Sequence, residues 1–274
     1  MRLHLVSAAS EPGGAAPNED RWGVTDTGYA WVIDGATSTG PARIAREGTD
    51  GAWFAGRLDS VLRRLAETGN GTDPYEMLQL AAAEIRQELV HDGVDPDDRP
   101  PYASIALVAI AEAQLRYAVL GDVLLAILRP EDKAVTILRD ERSDPFVDKA
   151  IDLSYRYTGE DLRAQQRAFE AHNVNTAEGY PILTTSAESA AAAHHGAVQM
   201  DRGAVVLLAS DGLTYRNDLG NEAAVLDLIL RVRDDGVALE LAAVRKLEHD
   251  DPGRARCRRI KQHDDSTGVL LTVS

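Results

Sequence analysis

The 274-residue chain sets 44 Asp and Glu against 29 Lys and Arg, a formal net charge of −15. That balance excludes a surface built for nucleic acid or an anionic membrane, where binding rewards Lys and Arg. A single cysteine, Cys257, excludes an intrachain disulfide, and no run approaches the ~20 apolar residues of a membrane span. The stretch Met1–Val6 is too short for a signal sequence, so a cytoplasmic location is expected. With 44% hydrophobic but only 5% aromatic residues, the core must be mostly aliphatic.

Residues 2–9 and 29–33 read as strands, with a weaker strand over 22–25 between them. A helix is expected over 41–67, opened by Pro41, carrying Trp53, Phe54, Leu58, Val61, Leu62 and Leu65 at helical spacing, and closed by Gly69. Gly48, Gly51 and Gly56 weaken its first half. A second helix is expected from a cap at Asp73, through Pro74, to His91, with Gly93 as its stop. Residues 92–101 read as an acidic surface loop. Apolar runs over 104–111, 114–120, 123–128 and 134–138 follow, separated by breaks too short for parallel crossovers. They are expected to form an antiparallel meander with a hairpin at Gly121-Asp122. Residues 140–200 are polar and charged and are expected to be mostly helical. A strand at 204–210, helices at 221–233 and 236–248, and a closing strand at 268–273 complete the chain. Strands and helices cluster rather than alternate and no linker interrupts them, which favours a single α+β domain over 1–274.

Four acidic motifs stand beside these strands: Asn18-Glu19-Asp20, Asp34-Gly35, Asp211-Gly212 and Asp264-Asp265. Carboxylates at the ends of neighbouring strands converge only if a counterion joins them. Hard divalent cations prefer such oxygen ligands, so the pattern points to Mg²⁺ or Mn²⁺. The plain alternative is that each Asp-Gly is a turn, as Asp-Gly at Asp50, Asp92 and Asp235 would be. Asp264 could likewise be a turn residue, or pair with Lys261 or His263.

Taken in order, these motifs and Gly121-Asp122 resemble the metal-dependent protein phosphatases, the type 2C serine/threonine family, over about residues 3–273. The resemblance implies a sandwich of two antiparallel sheets flanked by helices, with two Mn²⁺ or Mg²⁺ at one end. By the resemblance, Asp34 bridges the two metals. Glu19 and the carbonyl of Gly35 hold one, Asp211 and Asp264 hold the other, and Asp20 orients the attacking water. Asp122, with Asp211, corresponds to a third-metal position, although Val123-Leu124 follows it where Ser-Arg is frequent. The implied partner is a phosphorylated protein. Alternatives are a small phosphorylated metabolite and a regulator that binds metal without turnover.

Several positions depart from the family. The Arg that often holds substrate phosphate, three residues before the Asn-Glu-Asp motif, is Ala15 here; Arg21, Arg43 and Arg46 are the candidates to replace it. The His that often follows the Asp-Gly is Ala36, so metal-bound water would protonate the leaving oxygen, with His172, His194, His195 and His263 as alternatives. Residues 140–200 fall where the family has a flap, and this version is long and charged. Arg163 and Arg167 share a helix face there and would meet a phosphate or pair with Glu160 and Glu170.

Overall fold

The computed structural model describes residues 1–14, 17–37, 42–45, 48–68 and 71–274. Among them, ten strands form two five-stranded antiparallel sheets. One runs in the order β1 (Leu3–Glu11), β10 (Ser266–Val273), β9 (Val205–Ala209), β6 (Leu124–Leu128), β7 (Val135–Leu138). The other runs β2 (Arg21–Val24), β3 (Tyr29–Ala36), β4 (Tyr102–Ala111), β5 (Gln114–Leu120), β8 (His194–Gln199).

Period-two alternation decides which face of each strand goes where. On β3, Ala30 and Val32 pack between the sheets with Val206, Leu208, Val269 and Leu271. Trp31 and Ile33 face the other way, onto α1 (Asp50–Thr68) and α2 (Pro74–His91), through Phe54, Leu58, Leu62, Met77 and Ile85. On β9, Leu207 faces α7 (Glu222–Asp235) and α8 (Val237–Asp250), meeting Leu228, Ile229, Val232, Leu241 and Val244. The result is helix, sheet, sheet, helix: four layers and three apolar seams. Because 30 and 32 look inward between the sheets, 34 does too, at the end where apolar packing gives out.

The meander does not form. β4 pairs with β5 in one sheet, with Ile105 opposite Leu120, and β6 pairs with β7 in the other, with Leu125 opposite Leu138. Gly121–Val123 therefore carries the chain from one sheet to the other. Short breaks rule out parallel neighbours, but they permit either a hairpin or a step between stacked layers. Apolar runs alone do not distinguish the two.

The first long helix starts later than its spacing suggests. Residues 42–45 are not helical, and the expected start at Pro41 lies outside the described residues. Asp50 explains the delay: its carboxylate accepts the main-chain N–H groups of Arg43, Ile44 and Ala45 at 2.8–2.9 Å, holding that stretch as a loop against the helix start. The second helix begins as expected, with the Asp73 side chain accepting from Tyr75 N at 3.0 Å.

Residues 140–200 hold α3 (Asp144–Arg156), α4 (Gly159–Asn173) and the short α5 (Ala187–Ala191), as their polarity suggests. They also hold β8, an exposed edge strand without apolar alternation, set by main-chain pairing to β5 rather than by burial. No described helix is long and apolar enough to cross a membrane.

Candidate metal centre

One end of the sandwich collects the acidic motifs. A cleft of about 410 Å³ is lined there by Glu19, Asp34, Gly35, Asp122, Asp211 and Asp264, with Lys261 beside them. A second cavity of about 460 Å³ adjoins it, and Asp122, Asp211, Lys261 and Asp264 line both.

The glycines explain how the segments come so close. Neither Asp-Gly is a strand-end turn. Gly35 lies within β3, opposite Ala103, and a Cβ on it would stand 2.6 Å from the carbonyl oxygen of Glu19. Gly212 is the second residue of the four-residue α6 (Asp211–Thr214), and a Cβ there would stand 1.9 Å from the carbonyl oxygen of Asp265. Each Asp-Gly therefore packs its glycine against the backbone of one of the other two motifs, and the four carboxylate segments interlock in pairs.

Hydrogen bonds fasten the same segments. Asp265 accepts from Gly13 N at 2.6 Å and from Glu19 N at 2.7 Å, clamping the N-terminal loop to the start of β10. Ser210 donates to Asp20 Oδ2 at 2.8 Å and accepts from Thr267 N at 2.9 Å, joining β2, β9 and β10. Asp122 Oδ1 accepts from Ser104 Oγ at 2.6 Å. Glu19 accepts from Thr37 Oγ1.

Burial and mutual repulsion dominate the electrostatics. Asp34 is pushed well above the usual carboxylate range by burial, then by Asp20, Asp211, Asp122 and Asp264. Asp211 is raised by burial and by Asp264 and Asp122, and it lies within hydrogen-bond reach of Asp34. Burial raises Asp122 as well, against the bond from Ser104. Asp20 is pushed up to about 7 by burial, against the bond from Ser210, and its Oδ1 is buried without a hydrogen-bond partner. Two carboxylates approach this closely only with a proton or a cation between them.

The donor chemistry fits hard divalent cations: carboxylate oxygens, one main-chain carbonyl, and a buried orphan oxygen behind them. Among the described residues no three carboxylate, imidazole or thiol side chains already stand at metal-binding geometry, so the side chains would have to draw in around an ion.

Of the candidate phosphate-binding arginines, Arg21 and Arg43 are not brought to the cleft. Arg21 Nη1 donates to the carbonyls of Asn18 and Asp20 at 2.7 and 2.6 Å. Arg43 Nη2 donates to Asp95 O at 2.7 Å, with Asp98 3.8 Å away from its Nε. Both are absorbed locally, and Arg46 lies outside the described residues, as does Ala15. The candidate histidines also lie elsewhere. His195 stacks on Tyr75 with ring centroids 3.9 Å apart, His194 stands 3.6 Å from Asp140, and His263 pairs with Glu248 at 2.9 Å. His172 is exposed on α4.

On α4, Arg163 and Arg167 are exposed, while Gln166, Phe169 and Glu170 line the cleft. Phe146 and Leu153 from α3, with Tyr180, add an apolar wall to the same cleft. Asp265 stands in one of the four acidic motifs, but neither its role, nor that of Ser210, nor this wall is legible in the sequence. Lys261, expected only as a partner for Asp264, forms that pair at 2.7 Å.

The sequence matches the family model for protein phosphatase 2C over residues 13–235. Comparison with curated proteins finds no similar sequence. Among solved structures, the chain is similar to the Mycobacterium tuberculosis serine/threonine phosphatase PstP/Ppp, at 18% identity over 100% of both chains with a TM-score of 0.62. It is similar to the catalytic domain of PstP in complex with 2 manganese ions, at 19% identity over 99% of each chain with a TM-score of 0.59. It is also similar to PppA, described as a key regulatory component of T6SS in Pseudomonas aeruginosa, at 17% identity over 100% of this chain and 99% of that one, with a TM-score of 0.57. At these identities the likeness speaks for the fold.

Proposed function

The chain belongs to the protein phosphatase 2C family of metal-dependent phosphatases, and from that premise we propose that it hydrolyses phosphate monoesters at the carboxylate cleft with two Mn²⁺ or Mg²⁺. The observation that carries this reading is the convergence of Glu19, Asp34, Asp122, Asp211 and Asp264 from separate segments onto one cleft. Two cations held there would lower the pKa of a water and neutralise charge on the attacking and leaving oxygens.

The chain's own residues divide the work. Asp34, nearest the centre of the repulsive cluster, would hold both ions. Asp211 and Asp264 would serve one, and Glu19 with the Gly35 carbonyl the other. Asp122, beside Asp211, is a candidate for a third. Asp20 does not line the cleft. Ser210 fixes its Oδ2 and leaves Oδ1 to orient the attacking water from behind. The apolar wall of α3 and α4 would exclude bulk water from the cleft.

The favoured substrate is a protein carrying phosphoserine or phosphothreonine, as the family suggests. A small phosphorylated metabolite is the second reading. It is supported by the volume of the cleft, about 410 Å³, which falls within the range of small-molecule sites.

Hydrolysis of an aryl phosphate tests the reaction. It should require Mn²⁺ or Mg²⁺, stop on chelation, and fall on the order of a hundredfold or more in Asp34→Asn and Asp211→Asn. Chelator-resistant turnover would defeat the proposal. Comparing phosphopeptides with small phosphate esters at equal concentration separates the two substrate readings.

A further inference from the structure

Among the described residues, one cation is aimed into this cluster of acids. Lys261 lines both cavities, and its Nζ lies 2.7 Å from Asp264 Oδ1. Asp264, Asp211 and Asp34 are the acids that attract it. Its side chain is 58% exposed, so the ammonium has room to swing away from Asp264.

The loop that carries Lys261 is firmly built. Asp251 accepts main-chain N–H groups from Ala255, Arg256 and Cys257, and Arg259 Nη1 meets its Oδ2 at 3.0 Å. The Arg254 guanidinium donates to the carbonyls of Arg259 and Ile260, immediately before Lys261. The other cations that line these cavities are paired with acids outside the cluster: Arg139 with Asp144, Arg258 with Asp152, Arg259 with Asp251. Lys261 is paired with a cluster carboxylate.

We propose that Lys261 is the substrate-phosphate anchor of this site, parked on Asp264 until divalent cations claim that carboxylate. The inference rests on the metal-centre reading above. A divalent ion brings two charges to the oxygens that the ammonium shares, so it displaces the ammonium from Asp264 and repels it. A phosphate dianion bound over the ions then becomes the available anion. Four rotatable bonds and three N–H donors let Lys261 follow it. Among the described residues, no other cation that lines the two cavities is paired with a cluster carboxylate.

Calorimetry on the full chain tests this, with Mn²⁺ alone as the first probe and inorganic phosphate on the Mn²⁺-loaded protein as the second. In Lys261→Met, Mn²⁺ affinity should hold or rise, because a competing cation is gone. Phosphate affinity should fall about tenfold or more, the scale of a charge-assisted hydrogen bond. The KM for an aryl phosphate should rise in step, with kcat less affected. Lys261→Arg should keep phosphate affinity within about threefold of wild type, since it keeps the charge and the donors. Phosphate affinity within twofold of wild type in Lys261→Met would overturn the anchor and leave Lys261 as a partner of Asp264 alone. Loss of Mn²⁺ affinity as large as the loss of phosphate affinity would overturn it too, and would make Lys261 a positioning residue for Asp264. A wild type that binds no Mn²⁺ overturns the metal-centre reading itself, whereas either variant result against an Mn²⁺-binding wild type overturns only this inference.

Discussion

Asp265 shows how a residue that never faces the cleft can govern it. It stands next to Asp264, but its two oxygens are spent on Gly13 N and Glu19 N. It therefore fixes where the main chain of Glu19 sits relative to β10. Groups that orient metal ligands in this way typically matter about 10–100-fold in metal affinity. Asp265→Ala should lower Mn²⁺ affinity by about that factor in calorimetry, with the unfolding transition still cooperative. An unchanged affinity would mean that β10 holds Glu19 in place without the clamp. Gly35 and Gly212 act at the same scale. Asp-Gly reads in sequence as a turn, since turns are where that pair is commonest. Here the missing side chains admit the backbones of Glu19 and Asp265. The sequence contained the glycines but not the neighbours that require them.

Among the elements, α3 and α4 and the loop after α8 give this site its own character. Phe146 on α3 meets Phe169 on α4 edge-on at 6.5 Å and Tyr180 at 5.0 Å, and all three line the cleft. The polarity of 140–200 predicts surface helices and gives no sign of this wall, because only a few of their residues turn inward. Phe146→Ala should raise the KM for an aryl phosphate on the order of tenfold while Mn²⁺ affinity stays at the wild-type value. A KM that does not move would show that substrate does not touch the wall. The loop after α8 carries the basic run Arg254–Arg259. In the structure, Arg254 and Arg259 are internal struts that shape residues 251–265 and aim Lys261. The charges were visible in the sequence, but their targets are Asp251 and main-chain carbonyls that only the folded loop presents.

For the whole molecule, the acidic cluster makes stability depend on pH and on metal. Asp20 is held at about 7 by burial, against an ordinary value of roughly 3.9. The folded state therefore binds more protons than the unfolded one between those values, and stability falls as pH rises through that window. Asp34 and Asp211 shift in the same direction. Asp251 works the other way. Burial would raise it, but the main-chain donors and Arg259 outweigh burial and lower it to about 2, so its contribution is lost only as pH falls from about 4 toward 2. Chelated protein should thus show a thermal midpoint that drops between about pH 4.5 and 7.5, and Mn²⁺ should recover most of that drop at pH 7.5. A midpoint that is flat with pH, or insensitive to Mn²⁺, would mean that the carboxylates are already satisfied without a cation.

The sequence by itself determined the α+β class, most element positions, the absence of a disulfide and the identity of the acidic residues. These follow from local periodicity, capping and residue chemistry, which neighbouring positions carry in full. The tertiary structure decided which strands share a sheet, since β5 and β6 lie three residues apart yet belong to different layers. It also decided that Arg21 and Arg43 turn away from the cleft while Lys261 turns in. Both outcomes depend on contacts between residues distant in the chain. The Asp20–Ser210 bond spans 190 positions and the Glu19–Asp265 bond 246, and no local pattern encodes such a pairing.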